Sequence, residues 1–85
     1  MVTVANKILM PVVWMTRDQC RAARTLLHMT QPQLAKRAKC GLTTIVNYEL
    51  DRRYVTEEMI QQIQHALEAA GAVFINGNGV RLRRR

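Results

Sequence analysis

At 85 residues the chain makes one domain, with a modest core of a size that often gains stability by dimerising. Its 48% hydrophobic and 22% charged residues exclude a disordered chain, and two cysteines without a CxxC pair exclude a disulfide framework. The net charge of +7 favours a polyanionic partner, with nucleic acid the first candidate.

Residues 1–15 are apolar but lack the marks of a secretory signal. They carry one lysine, Lys7, Pro11 interrupts them, and no small-x-small cleavage site follows. They are also too short to span a bilayer as a helix. Val2–Ala5 and Ile8–Trp14 are rich in β-branched and apolar residues, which predicts an edge strand or an irregular arm. Met15 directly precedes the first helix signal, so a shorter product starting there would keep everything that follows.

That signal is Thr16 with Gln19 three residues on, a capping box. Cys20, Ala23 and Leu27 then share one face, which predicts a first helix over Arg17–Leu27. Thr30 and Gln33 repeat the box, with Pro32 in the first turn where no amide is missed, and predict a short second helix over Gln31–Ala38. Gly41 caps a third over Leu42–Leu50, with Ile45 and Tyr48 inward, and Asp51–Arg53 forms a loop. Thr56 caps a longer fourth helix with the apolar stripe Met59, Ile60, Ile63, Ala66, Leu67, Ala70, stopped by Gly71. Glu57 and Glu58 suit the positive end of that helix. Val73–Ile75 and Val80–Leu82 flank Asn76–Gly79, which predicts a β-hairpin.

The expected fold is therefore mainly α, with four to five helices, a helix-turn-helix and short terminal strands. The divisions are an arm over 1–15, a helical domain over 16–72, and a hairpin with a basic tail over 73–85. The helical segment holds eight Lys/Arg and six acids, only +2 of the chain's +7. Most of the remainder is Arg81, Arg83, Arg84 and Arg85, a tail that either lies on phosphate or is a solvated end.

Two short helices joined by Lys39-Cys40-Gly41 satisfy the spacing of a helix-turn-helix. Ala35 is small enough for the helices to cross closely, and Leu34, Ala38, Cys40 and Ile45 supply their shared core. The start and outer face of the third helix then project from the body, sized for a DNA major groove.

Thr30 through Glu49 resembles the XRE-type helix-turn-helix of phage repressors, Cro proteins and small bacterial regulators. The family pattern, Ser/Thr-Gln-x-x-Leu-Ala, then Thr-Ile, then Glu, is matched by Thr30, Gln31, Leu34, Ala35, Thr44, Ile45 and Glu49. The resemblance covers Thr16 to Gly71 and leaves out the arm and the hairpin. It implies that Leu42, Thr43, Val46 and Asn47 read bases, with Asn47 on adenine and Leu42 or Thr43 on a thymine methyl. It implies that Gln31, Arg37, Lys39, Thr44, Arg52 and Arg53 hold phosphates. Arg24 and Glu49 match positions that form a structural ion pair between the first and third helices. Three positions that often carry glycine hold His28, Lys39 and Asp51, each then calling for a left-handed backbone.

The expected function is a cytoplasmic, sequence-specific regulator of transcription that binds an inverted repeat of double-stranded DNA. It acts as a homodimer through the terminal strands, with no cofactor, metal, membrane or small-molecule ligand. The rival is a helix-turn-helix recruited to bind protein, as an antitoxin or anti-activator, which the apolar Leu42 and Val46 would suit. A plain helical bundle would share the helix pair but not the joint match from Thr30 to Glu49. Catalysis has no support, because the chain has no serine and neither histidine has an acid placed as a triad partner. His28 and His65 lack zinc spacing with the cysteines. Cys20 and Cys40 read as small buried hydrophobes before they read as a redox switch.

Overall fold

The computed structural model describes residues 15–75 and 79–83. All of the arm expected over 1–15 except Met15, most of the hairpin turn and the last two arginines lie outside these residues.

Helix α1 spans Arg17–Leu26, α2 Gln31–Ala38, α3 Leu42–Leu50 and α4 Glu57–Ala69. They are followed by the antiparallel strands β1, Ala72–Ile75, and β2, Gly79–Leu82. The starts of the helices follow from their caps. The Thr16 hydroxyl accepts from the Gln19 amide at 3.0 Å while the Gln19 side chain accepts from the Thr16 amide at 2.8 Å. Thr30 and Gln33 form the same reciprocal pair at 3.1 and 2.9 Å. Thr56 accepts from the Met59 amide at 3.1 Å. Each arrangement satisfies amides that the first helical turn leaves without partners.

The ends are set differently. α1 stops one residue earlier than the sequence predicts, because Leu27 leaves helical geometry and His28 turns left-handed at φ 55°. Lys39 after α2 and Asp51 after α3 are also left-handed, at φ 59° and 56°. These are the three positions where the family often has glycine. Gly71, at φ 120°, ends α4 and turns the chain into β1.

Leu34, Ile45, Ile63 and Leu67 are closed to solvent at the centre of the core, with Cys20 and Ala23 from α1. Cys40, Tyr48 and the remaining apolar residues of the α4 stripe pack partly buried around them. The hairpin belongs to the same core. Ala72 and Phe74 point inward, β1 packs on α4 and β2 packs on α1. Each strand begins one residue before its expected start, at Ala72 and Gly79. A side chain at Gly79 would meet the Cβ of its cross-strand partner Ile75 at 3.2 Å, so glycine gives Ile75 its room.

Gln19 attaches the hairpin. Its Nε2 donates to the carbonyls of Ile75 at 2.9 Å and Gly79 at 2.7 Å, the last residue of one strand and the first of the other. Met15 closes the other side of α1. Its amide donates to Gln64 Oε1 at 3.1 Å and its carbonyl accepts from the Tyr48 hydroxyl at 2.9 Å. A product starting at Met15 would keep the core, but it would put a charged ammonium where a buried amide now sits.

Candidate nucleic-acid interface

The interface is built on α2, α3 and the turn between them. Ala35 and Ala38 are buried at the crossing, where larger side chains would separate the helices. Lys39 makes the sharp exit from α2, and Gly41 opens α3 without a side-chain cap. α4 steadies the turn, since Gln62 donates to the carbonyl of Ala38.

The inner face of α3 carries Ile45 and Glu49, both closed to solvent. The Glu49 carboxylate organises the three helices. Arg24 grips it with two hydrogen bonds, Nε at 2.7 Å and Nη2 at 2.8 Å, and Gln31 Nε2 donates at 2.9 Å. The Cys20 thiol adds a fourth bond at 3.3 Å. Burial by itself would raise the carboxyl pKa, but the bonds from Arg24, Gln31 and Cys20 outweigh it and hold the group below its ordinary value. The same contact with Glu49 holds Arg24 above its own ordinary value. Arg21 donates to the Glu49 carbonyl at 2.6 Å and so caps the end of α3. The ion pair implied by the resemblance is present and joins α1 to α3; the bond from Gln31 brings in α2.

This network bears on two expectations. Gln31, expected on phosphate, directs its amide group at Glu49, and the second hydrogen of that NH2 is what remains for an outside acceptor. Cys20 is sealed in the core, with its pKa pushed up by burial and then by the neighbouring Glu49 charge. Burial pushes the Cys40 thiol up as well. Thiols held protonated are poor redox sensors, which supports reading both as packing residues.

The outer face of α3 carries the expected base readers on one stripe. Leu42 is 45% exposed, Thr43 is exposed, and Val46 and Asn47 are half-buried. Among the described residues neither the Thr43 hydroxyl nor the Asn47 amide has a hydrogen-bond partner within the protein. Leu50, 52% exposed, continues the stripe toward the end of the helix.

The expected phosphate ligands divide into groups. Thr44 and Arg53 meet Asn47 in a notch of about 230 Å³ between α3 and the start of α4. Lys39 and Arg52 are exposed at the two ends of α3. Arg37 lies apart, with Gln33 and Lys36, along a hollow beside the loop from α1 to α2. Tyr54 has no place among the residues the sequence singles out. It lines the notch and is 85% exposed, and no periodic pattern distinguishes it from other loop residues.

A family model described as helix-turn-helix matches residues 21–70, from α1 through the end of α4. The chain belongs to the XRE/Cro/CI-type helix-turn-helix family. It is thus a DNA-binding regulator, and the match spans Arg24, Gln31 and Glu49 of the buried network and the outward stripe of α3. No curated protein matches the chain. The hairpin of this regulator lies outside the matched residues, although its side chains share the core. Among the described residues, no helix is long and apolar enough to cross a membrane, and no three His, Cys, Asp or Glu residues cluster as a metal site.

Proposed function

We propose that this regulator binds an inverted-repeat operator as a homodimer, each subunit laying α3 in the major groove. The observation that carries this reading is the contrast between the two faces of α3. Its inner face is fixed by a buried ion pair and its outer face offers unbonded side chains. A reading surface needs both features, rigid placement and free edge-directed groups.

In this arrangement Leu42, Thr43, Val46 and Asn47 contact base edges. Gln31, Lys39, Thr44, Arg52 and Arg53 anchor the flanking phosphates, with Arg37 on the backbone further out. The half-sites lie about one helical turn apart, roughly 34 Å. The hairpin supplies the dimer contact. A two-stranded sheet is marginal alone, and Ile75 and Leu82 remain 45% and 41% exposed on this one.

Selection of bound fragments from a random DNA pool tests the reading. An enriched inverted repeat, lost when Thr43 and Asn47 are both replaced by alanine, is the expected result. Folded protein that enriches nothing would turn attention to the protein-binding role. A light-scattering mass of a monomer at micromolar concentration would remove the dimer.

A further inference from the structure

The outward stripe of α3 is uncharged over its whole length. The helix contains no lysine, arginine or aspartate, and its one acid, Glu49, is 1% exposed and bound to Arg24. What faces outward is Leu42, Thr43, Val46, Asn47 and Leu50. Resting on the DNA reading above, we infer that this face reads A·T pairs, with the thymine 5-methyl group as a positive determinant.

The chemistry of the base edges carries the inference. Guanine shows two acceptors in the major groove and is most often read by arginine or lysine, neither of which α3 has. Cytosine shows an amino donor, read by acidic side chains, and Glu49 is turned inward. Adenine shows a donor beside an acceptor, which the amide of Asn47 matches with its own acceptor and donor. The thymine methyl is the apolar feature of an unmodified major-groove edge. An isobutyl group such as Leu42 gains by covering it and loses by desolvating a guanine oxygen or a cytosine amine.

The spacing agrees. Leu42 and Val46 are four apart and make an apolar rail, while Thr43 and Asn47 make a polar rail beside it. Each rail spans about 6 Å along the helix, so it reaches neighbouring base pairs. On an A·T pair the methyl and the adenine edge lie at opposite ends of the groove edge, so one rail faces each strand. A cytosine methylated at C5 carries the same group and is an alternative ligand for the apolar rail.

The test starts from the selected operator, with deoxyuridine placed for thymidine at one position at a time. Uracil removes the methyl and leaves pairing and phosphates unchanged. The expected result is a loss of about fourfold in affinity for each contacted methyl, the size of one buried methylene. Leu42→Ala should bind thymine and uracil operators equally at one position, and Val46→Ala should do so at another. Leu42 is exposed and Val46 only half-buried, so both alanine variants are expected to keep the parent's fold, and thermal melts of each check it. Placing 5-methylcytosine at the sensitive position should recover part of the loss relative to cytosine. A well-enriched operator fixed at guanines, with uracil tolerated everywhere, would overturn the inference and leave the DNA reading standing. Folded protein that enriches no sequence would overturn both.

Discussion

Replacing Glu49 with glutamine tests whether the buried ion pair fixes α3. Glutamine keeps the shape of the side chain but removes the charge and one of two acceptor oxygens. Arg24 would then remain as a cation whose side chain is only 17% exposed. Breaking a buried pair from one side costs about 3–5 kcal/mol, because the remaining charge is uncompensated. The retained amide oxygen can still accept from Arg24 or Gln31, which places the expected loss near the lower bound, about 3 kcal/mol. For a domain of this size, each kcal/mol lowers the melting temperature by about 4–8 °C, so a fall of about 12 °C or more is expected. Thermal melts followed by circular dichroism measure it. The double variant Arg24→Met with Glu49→Leu removes both charges and should recover most of the loss. A Glu49→Gln protein melting within about 3 °C of the parent would refute the argument, since that is under 1 kcal/mol.

Further predictions follow from the same contacts. Cys20 has a raised pKa and Tyr48 is pushed up to about 12 in the folded state, burial being the first cause of each. The unfolded chain therefore loses these protons first, and stability should hold at neutral pH and fall as pH rises above the ordinary thiol value. Denaturant midpoints from pH 7 to 11 would show this, and Tyr48→Phe should flatten part of the slope. Glu49 acts in the opposite direction: its lowered pKa adds stability that is lost as acid takes the pH below the ordinary glutamate value. Gln19→Ala should cost about 2–4 kcal/mol, leaving two carbonyls of the hairpin without a donor, and should raise hydrogen exchange in β1 and β2 more than in α3. Unchanged exchange there would count against Gln19 as the attachment. Lys39→Gly should stabilise the fold by about 1 kcal/mol by relieving the left-handed backbone. The same variant should weaken DNA binding and reduce its log–log salt slope by about 1, as expected for one lost phosphate contact.

The helical frame was legible because its signals are local. Thr16–Gln19, Thr30–Gln33 and Thr56 announce helix starts within a single turn, and the spacing of Leu34, Ala35 and Ile45 defines a crossing helix pair. The Arg24–Glu49 pair came from the resemblance to the family, not from spacing. What escaped were the long-range roles of glutamines. In the sequence Gln19 is half of a capping box, yet in the structure its Nε2 also holds residues 56 and 60 positions away. Gln64 and Gln62 lie among the helix-favouring residues of α4, and nothing beside them in the chain indicates that one receives the Met15 amide and the other holds the α2–α3 turn. The early strand starts have a similar origin. Ala72 and Gly79 are weak strand formers, and pairing across the sheet places them in strands despite their propensity.

The helix-turn-helix is not self-sufficient in this chain. Its turn is held from α4 by Gln62, the end of α3 is capped from α1 by Arg21, and Glu49 is neutralised from α1 by Arg24. Residues 30–49 alone would keep their caps but lose these restraints, so the orientation of the outer face of α3 depends on the whole domain. The three left-handed joints fit that view. Glycine would relax each of them, yet Lys39 adds a cation at the start of α3 and Asp51 lies 3.7 Å from Arg17 at its end. That exposed ion pair adds little stability. The charged joints are better understood through the surface they create, with Lys39 exposing a cation where glycine would offer only backbone. A strained backbone is tolerable at these points because the buried network, not the joints, sets how the helices lie.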